Sequence, residues 1–199
     1  MENCIKCSQL AACRSQIVYP TLCNVGGLLV IGEAPGRDED RSGEGFVGIA
    51  GKTLDRLLNT HGITRHDYGR ANICRCRPPE NRKPTPTEIN ACLPYLVELI
   101  IELKPNVVLT IGSTPTAIFC GKGSLYSIIS RGLEKNSWHF SNYLDCAHEL
   151  IKPILPNMKH IIPSPHTSPL AFNRNCPSGE KWGAIAAKQI AIAVKLNQC

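Results

Sequence analysis

The chain has 199 residues, a length that fits one domain with a full hydrophobic core. Its 43% hydrophobic and 19% charged residues exclude an intrinsically disordered protein, and its apolar runs are too short or too interrupted to span a bilayer. The net charge of +6 favours a polyanionic partner without requiring one. Because the N-terminus lacks the basic start and apolar run of a signal peptide, we expect a cytoplasmic protein without a membrane partner. We also expect it to be a monomer.

Short apolar strands alternate with helical patterns along the chain, after an N-terminal segment, residues 1–25, with little periodicity. The strands are predicted at 27–32, 70–75, 106–112 and 159–163. The helices are predicted at 50–59, from a Thr85 N-cap to about Leu103, at 114–120 and at 179–196, with residues 133–158 weakly patterned. This alternation predicts a three-layer α/β/α domain around a central, mostly parallel four-stranded sheet. We expect a single domain over residues 1–199.

Four segments follow the predicted strands, and the carboxyl ends of parallel strands form the crevice where such sheets bind ligands. The first segment, GEAPGRDEDRSGEGFVG, is read as a loop rich in both glycine and acid. Its acids are suited to placing a water or stabilising a developing cation, as glycosidic bond cleavage requires. Phe46 could stack on a flat ring. A solvated acidic loop and a core phenylalanine are the plainer alternatives.

This region contains only a weak match to a phosphate-binding loop. Gly51-Lys52-Thr53 resembles the end of a nucleotide triphosphate loop, but Phe46 stands where that motif needs its first glycine. A nucleotide hydrolase is therefore the weaker of the enzyme hypotheses.

Eleven cysteines are an odd number, so they cannot all pair as disulfides, and clustered cysteines are better read as metal ligands. From the residues alone, a four-cysteine zinc site and an iron–sulfur cluster remain equally open. An N-terminal zinc knot that adds Cys13 and Cys23 to Cys4 and Cys7 is also open. The cysteines at 120, 146, 176 and 199 are read as small apolar residues.

Long stretches of the chain resemble one family. GEAPGRDEDRSGEGFVGIAGKTLDRLL is similar to the first motif of the iron–sulfur uracil-DNA glycosylases, family 4 of the uracil-DNA glycosylase superfamily. NICRCRPPENRKPTPTEINACLPYL resembles the family's cysteine-bearing segment, and VVLTIGSTPTAIF resembles its third strand and the turn that follows. HTSPL resembles the histidine motif of the wider superfamily. The resemblance runs from Cys4 to about the last helix and is weakest at 133–158.

The resemblance implies a monofunctional DNA glycosylase that hydrolyses the N-glycosidic bond of a flipped-out pyrimidine, uracil by default, and leaves an abasic site. Glu33 would position or activate the attacking water. His166 would donate to the pyrimidine O2, where negative charge gathers as the base leaves. The implied base contacts are Ala34 through its N–H, Glu39 near the C5 edge, Phe46 stacked on the ring, and Asn72 at the O4/N3 edge.

The resemblance also implies a [4Fe–4S] cluster with a structural function on Cys4, Cys7, Cys76 and Cys92, which makes iron–sulfur the preferred alternative over zinc. Cys76 matches the pattern rather than Cys74, because it directly precedes Arg77 and two prolines. The partner would be single- or double-stranded DNA. The implied DNA contacts are Ser164, Thr167, Ser168, Arg174 and Arg82.

Two departures leave the excised base open. Thr167 follows His166 where family 4 usually has a proline, and the stretch before the last strand, LEKNSWHFSNYLDCAHELIK, differs from the family pattern. A larger modified pyrimidine, such as a viral hypermodified cytosine removed in host defence, is therefore the alternative substrate. PPENRKP occupies the place of the insertion that marks the covalently DNA-trapping branch, so we expect turnover. A non-enzymatic, zinc-stabilised nucleic-acid-binding module is the alternative from another class.

Overall fold

The computed structural model describes residues 3–198 and contains one sheet of four parallel strands in the order β2-β1-β3-β4. The strands are β1 (Leu28–Gly32), β2 (Gly69–Asn72), β3 (Val107–Ile111) and β4 (His160–Ser164). Since all four run in the same direction, their carboxyl ends meet at one edge of the sheet. The prediction of a mostly parallel four-stranded sheet is confirmed.

Eight α-helices surround the sheet within the described part of the chain. They are α1 (Ser8–Cys13), α2 (Arg37–Ser42), α3 (Ile49–Asn59), α4 (Pro86–Leu103), α5 (Ser113–Cys120), α6 (Leu125–Lys135), α7 (Pro169–Phe172) and α8 (Trp182–Asn197). Short 3-10 turns lie at Pro79–Asn81, Phe140–Tyr143 and Lys152–Asn157. No helix in residues 3–198 combines the length and the apolar character needed to cross a bilayer.

Both faces of the sheet are covered, which gives the three layers. Alternate residues of a strand point to opposite faces. Leu29 and Ile31 of β1 pack in one core cluster with the buried face of α4, whereas Leu28 and Val30 pack in a second cluster with α3 and α8. Burial on both faces explains why β1 reads as a continuous apolar run rather than an alternating one.

Helix α4 begins where the sequence predicts. The Thr85 hydroxyl accepts the N–H of Glu88 at 3.2 Å, and the Glu88 carboxylate accepts the N–H of Thr85 at 2.7 Å. This reciprocal capping box satisfies two N–H groups that the first turn would otherwise leave unpaired. The predicted cap and helix are confirmed.

Two local predictions are wrong. Residues 37–42 form the helix α2 rather than loop, and Asp40 on it is buried and accepts the N–H of Ser15 at 2.9 Å. Strand β2 ends at Asn72 rather than at 75, because the chain bends there toward the cysteine segment. Residues 133–158, for which the sequence predicts no element, contain the end of α6 and the 3-10 turns Phe140–Tyr143 and Lys152–Asn157. The prediction for Cys199 lies outside the described residues.

Candidate active site

A large cleft lies at the carboxyl ends of the strands and encloses about 1360 Å³, open solvent included. Its walls include all six residues that the sequence analysis proposed for catalysis and base binding. They are Glu33, Ala34, Glu39, Phe46, Asn72 and His166. The parallel order explains the convergence, because β1, β2 and β4 each deliver one of these segments at the same edge of the sheet.

Glu33 directly follows β1 and is half-buried. Its Oε2 accepts a hydrogen bond from the Oγ1 of Thr114, in the first turn of α5. The sequence alone assigns no function to Thr114. Its position in GSTPT, after the third strand, is the feature that could identify it, because the segments after the strands are expected to reach the crevice.

Phe46 and Asn72 meet at Gly32, the last residue of β1. A Cβ added at Gly32 would lie 2.4 Å from the Oδ1 of Asn72 and 2.9 Å from the Cζ of Phe46. Only glycine leaves room for both side chains at this position. The aromatic ring and the carboxamide therefore belong to one surface of the cleft.

The backbone of Phe46 has a φ of 61°, a left-handed conformation that is uncommon for a residue other than glycine. Arg65 holds it there: its guanidinium donates to the carbonyl oxygen of Phe46 at 2.9 Å and to that of Gly45 at 2.7 Å. From below, Gly51 of α3 approaches so closely that an added Cβ would lie 1.9 Å from the Phe46 oxygen. The GKT segment is thus part of a packed helix and forms no phosphate loop.

Glu39 joins two backbone turns of the cleft wall. Its carboxylate accepts the N–H of Gly36 at 3.0 Å and the N–H of Gly48 at 2.7 Å. Since one oxygen serves each N–H, the side chain fixes the start of α2 against the start of α3. Glu39 also borders a shallower extension of the cleft lined by Arg37, Arg77 and other residues.

His166 lies in the loop after β4 and is exposed to the cleft. Its Nδ1 accepts the N–H of Ser168 at 3.1 Å, so a neutral ring carries its proton on Nε2. Desolvation by the surrounding walls lowers the pKa of His166, and the negative charge of Glu33 opposes this shift in part. The imidazole is thereby kept neutral at neutral pH, with Nε2–H as its donor.

The residues expected to contact DNA have different surroundings. Ser164 and Thr167 are fully buried, and the Thr167 hydroxyl donates to the Ala50 carbonyl oxygen at 2.8 Å, which ties the histidine loop to α3. Their hydroxyls are therefore not available at the surface. Ser168 is half-buried, and Arg174 is exposed without a side-chain partner among residues 3–198.

Arg82 is engaged within the protein. Its guanidinium makes two hydrogen bonds to the Glu88 carboxylate, at 2.7 and 2.9 Å, and a third to Gln9 at 3.0 Å. The bidentate contact with Arg82 lowers the pKa of Glu88 to about 2. Leu170, which the sequence analysis did not assign, is 72% exposed at the rim of the cleft.

A second cavity of about 310 Å³, open solvent included, separates α1 from the start of α4. Its lining contains the four cysteines implied as cluster ligands, Cys4, Cys7, Cys76 and Cys92. Arg14 donates to the Sγ of Cys76 at 3.0 Å and to the Cys4 carbonyl oxygen at 2.7 Å. Within residues 3–198, no group of three or more His, Cys, Asp or Glu is arranged to hold a metal ion.

Comparison with known proteins agrees with this architecture. The family model for the uracil DNA glycosylase superfamily matches residues 22–186. A type-4 uracil-DNA glycosylase of Archaeoglobus fulgidus is 42% identical over 112 residues, covering 52% of this chain and 56% of that protein. Its counterpart from Saccharolobus solfataricus is 46% identical over 91 residues, covering 45% of this chain and 42% of the relative.

A third type-4 enzyme, from Pyrobaculum aerophilum, is 45% identical over 86 residues, which cover 43% of this chain and 44% of the relative. The chain thus spans about half the length of the curated relatives it matches. The family model, in contrast, extends from before β1 into α8 and includes every strand. With its parallel sheet and its converging strand ends, the chain belongs to the uracil-DNA glycosylase superfamily.

Proposed function

We propose that this protein is a monofunctional DNA glycosylase that removes uracil from DNA and leaves an abasic site. The observation that carries the proposal is the convergence of Glu33, Phe46, Asn72 and His166 on one cleft. The type-4 uracil-DNA glycosylases among its relatives support uracil as the base. A base inside a duplex cannot reach such a cleft, so the nucleotide is flipped out before reaction.

The walls of the cleft recognise the extruded base. Phe46 stacks on the pyrimidine ring, an interaction of about 1–3 kcal/mol per base. The Asn72 carboxamide offers a donor and an acceptor to the O4/N3 edge, which distinguishes uracil from cytosine. The Ala34 N–H donates to a pyrimidine oxygen. Glu39, whose carboxylate oxygens both accept main-chain N–H groups, forms the wall near C5.

Cleavage separates positive charge on the sugar from negative charge on the base. The Glu33 carboxylate stabilises the developing cation and orients a water toward C1′. His166 donates its Nε2–H to O2, where charge accumulates as the electron pair of the bond leaves with the base. Water supplies the new C1′–O bond and loses one proton, and the uracil anion takes up a proton after release.

DNA lies across the mouth of the cleft. Ser168 and Arg174 contact the phosphodiester backbone, and Leu170 enters the space vacated by the flipped base, as apolar wedges do in other DNA-deforming proteins. Ser164 and Thr167 contribute by holding the loop backbone in place, since their side chains are buried. Arg82 supports the neighbouring surface through Glu88.

Cys4, Cys7, Cys76 and Cys92 would hold a [4Fe–4S] cluster, because four thiols around a single cavity match the ligand type and number of that group. The Arg14 guanidinium, which donates to Cys76, would offset the negative charge of the cluster. When bound, the cluster would tie the N-terminal segment to the body of the protein and would supply no redox chemistry. We also infer that residues 1–199 form one domain and that the protein acts as a monomer.

The test is incubation with single- and double-stranded oligonucleotides that carry one uracil, followed by alkali to cleave abasic sites. We expect cleavage at uracil and none in matched thymine or cytosine strands. Glu33→Gln should lower the single-turnover rate by about 10²–10⁴-fold, the range of general acid–base groups. Intact strands with uracil would refute the proposal, and cleavage only at a larger modified pyrimidine would redirect it to that base.

A further inference from the structure

We propose that Thr114 is a positioning residue that fixes the Glu33 carboxylate for the attack of water on C1′. The inference rests on the proposed function, because it assigns Thr114 a part in the same reaction. Thr114 is not among the described residues that line the cleft. Its hydroxyl donates to Glu33, so we infer that it acts through this carboxylate.

The hydrogen bond between the two side chains joins elements that are distant in sequence. Thr114 Oγ1 donates to Glu33 Oε2 across a separation of 81 residues. Within residues 3–198, this is the one protein hydrogen bond of the Glu33 carboxylate. One oxygen is thus held by α5, and the other remains to accept a hydrogen bond from a water in the cleft.

The position of the Thr114 hydroxyl is restrained by the turn before α5 and by a buried hydrogen bond. Gly112 caps α5 with a φ of 95°, which few residues other than glycine adopt, and this turn aims the first helical residues at β1. Beneath, the hydroxyls of Thr110 and Thr116 lie 2.8 Å apart, and both side chains are fully buried. This pair fastens the end of β3 to the first turns of α5, so the Thr114 hydroxyl has little freedom to move.

The restraint matters because a glutamate side chain has three rotatable bonds, and the reaction slows when the carboxylate leaves its productive position. A displacement of about 1 Å of a reacting group can cost about 10²-fold in rate. The Thr114 hydroxyl therefore holds the Glu33 carboxylate in one orientation.

The experiment is a double-mutant cycle between positions 33 and 114, followed by single-turnover excision of uracil and by DNA-binding measurements. Thr114→Val removes the donor at almost constant volume. We expect it to lower the excision rate by about 10- to 100-fold and to leave KM and DNA affinity unchanged. Thr114→Ser keeps the hydroxyl and should restore most of the rate.

The second arm separates positioning from general structural damage. In a Glu33→Ala background, Thr114→Val should have no further effect, because no carboxylate remains to be held. Equal losses in both backgrounds, or a wild-type rate for Thr114→Val, would overturn the inference. Thr114→Ala takes the place of the valine variant if circular dichroism shows the latter unfolded.

Failure of the proposed function gives a different pattern. An unmodified protein that releases no base would refute the glycosylase and the inference with it. A full excision rate for Glu33→Ala would show that Glu33 takes no part in the reaction. When Glu33→Ala is slow, a full-rate Thr114→Val, or an equal loss from Thr114→Val in both backgrounds, refutes the positioning inference alone.

Discussion

His166 shows how the main chain can select the chemistry of one side chain. The N–H of Ser168 occupies Nδ1, so the neutral ring presents Nε2–H to the cleft. A protonated ring would carry hydrogen on both nitrogens and would lose the contact with Ser168. Desolvation disfavours that charged form and lowers the pKa of His166 below its ordinary value of 6.5.

We therefore expect the excision rate to stay level around neutral pH and to fall in acidic solution. The sign follows from the lowered pKa, because the imidazole takes up its second proton in more acidic solution than an ordinary histidine does. Single-turnover rates from neutral to acidic pH measure it. His166→Ala should lose about 10²–10³-fold at pH 7 and should lack the part of the acid decline that His166 causes. An acid limb identical in both proteins would show that protonation of His166 does not cause it.

Arg65 supports Phe46 by contacts that leave the aromatic ring untouched. We expect Arg65→Met to weaken binding of uracil-containing DNA by less than Phe46→Ala, which removes the stacking of about 1–3 kcal/mol itself. Fluorescence anisotropy on an abasic analogue and on a uracil strand would separate base stacking from backbone contacts. An Arg65→Met protein with wild-type affinity for the uracil strand would contradict a supporting function for Arg65.

Among the elements, α1 and α2 connect the cysteine cavity to the active-site cleft. Arg14, just after α1, holds Cys76 and the Cys4 carbonyl oxygen, and the next residue donates its N–H to Asp40 on α2. Glu39, the neighbour of Asp40, joins two turns of the cleft wall. The N-terminal segment therefore has hydrogen-bonded links to both places.

This arrangement gives a prediction with a matched control. Cys76→Ser should lower iron content and visible absorbance and should reduce the thermal midpoint, because metal–thiolate bonds stabilise the folded chain. Cys13→Ser changes an exposed thiol on the same segment, outside the cavity, and should leave all three unchanged. Equal loss in both variants, or colourless protein that contains zinc, would refute the cluster assignment.

Helices with a strong apolar periodicity could be predicted, whereas a helix held by contacts distant in sequence could not. Helix α4 could be placed from its capping box and its apolar stripe. Helix α2 could not, because its sequence RDEDRS has no apolar stripe and its one buried side chain is Asp40. That carboxylate is buried because distant main-chain N–H groups pair with it, and no local pattern encodes such a contact.

At the level of the whole molecule, the net charge of +6 and the open cleft suit a polyanionic ligand. Not every basic residue is available to it, however. Arg82 is bound to Glu88, whereas Arg174 is exposed without a side-chain partner in the described chain. Salt dependence distinguishes the two, since each neutralised phosphate contributes about 0.9 to the slope of log affinity against log salt.

Arg174→Gln should therefore lower that slope by about 0.9 and leave the thermal midpoint unchanged. Arg82→Gln should lower the thermal midpoint, because the Glu88 carboxylate loses both hydrogen bonds from the Arg82 guanidinium. Binding titrations at several salt concentrations and thermal melts check both. An unchanged slope for Arg174→Gln would show that Arg174 does not contact a DNA phosphate.

The sequence predicted the meeting of the site residues because parallel strands place their carboxyl ends at one edge. It could not predict the contacts between those ends. The hydrogen bond from Thr114 to Glu33 spans 81 residues, and the clamp of Arg65 on Phe46 spans 19. Such pairs depend on strand order and register, which become known only when the sheet is assembled.

The left-handed backbone at Phe46 has one further consequence. Gly51 and Arg65 hold the main chain that carries the Phe46 ring, and they do so without any nucleotide present. A loop that had to freeze around its target would spend part of the contact energy on its own ordering. Here that ordering is completed during folding, so in the proposed reaction the stacking energy would remain to offset the extrusion of the base from the helix.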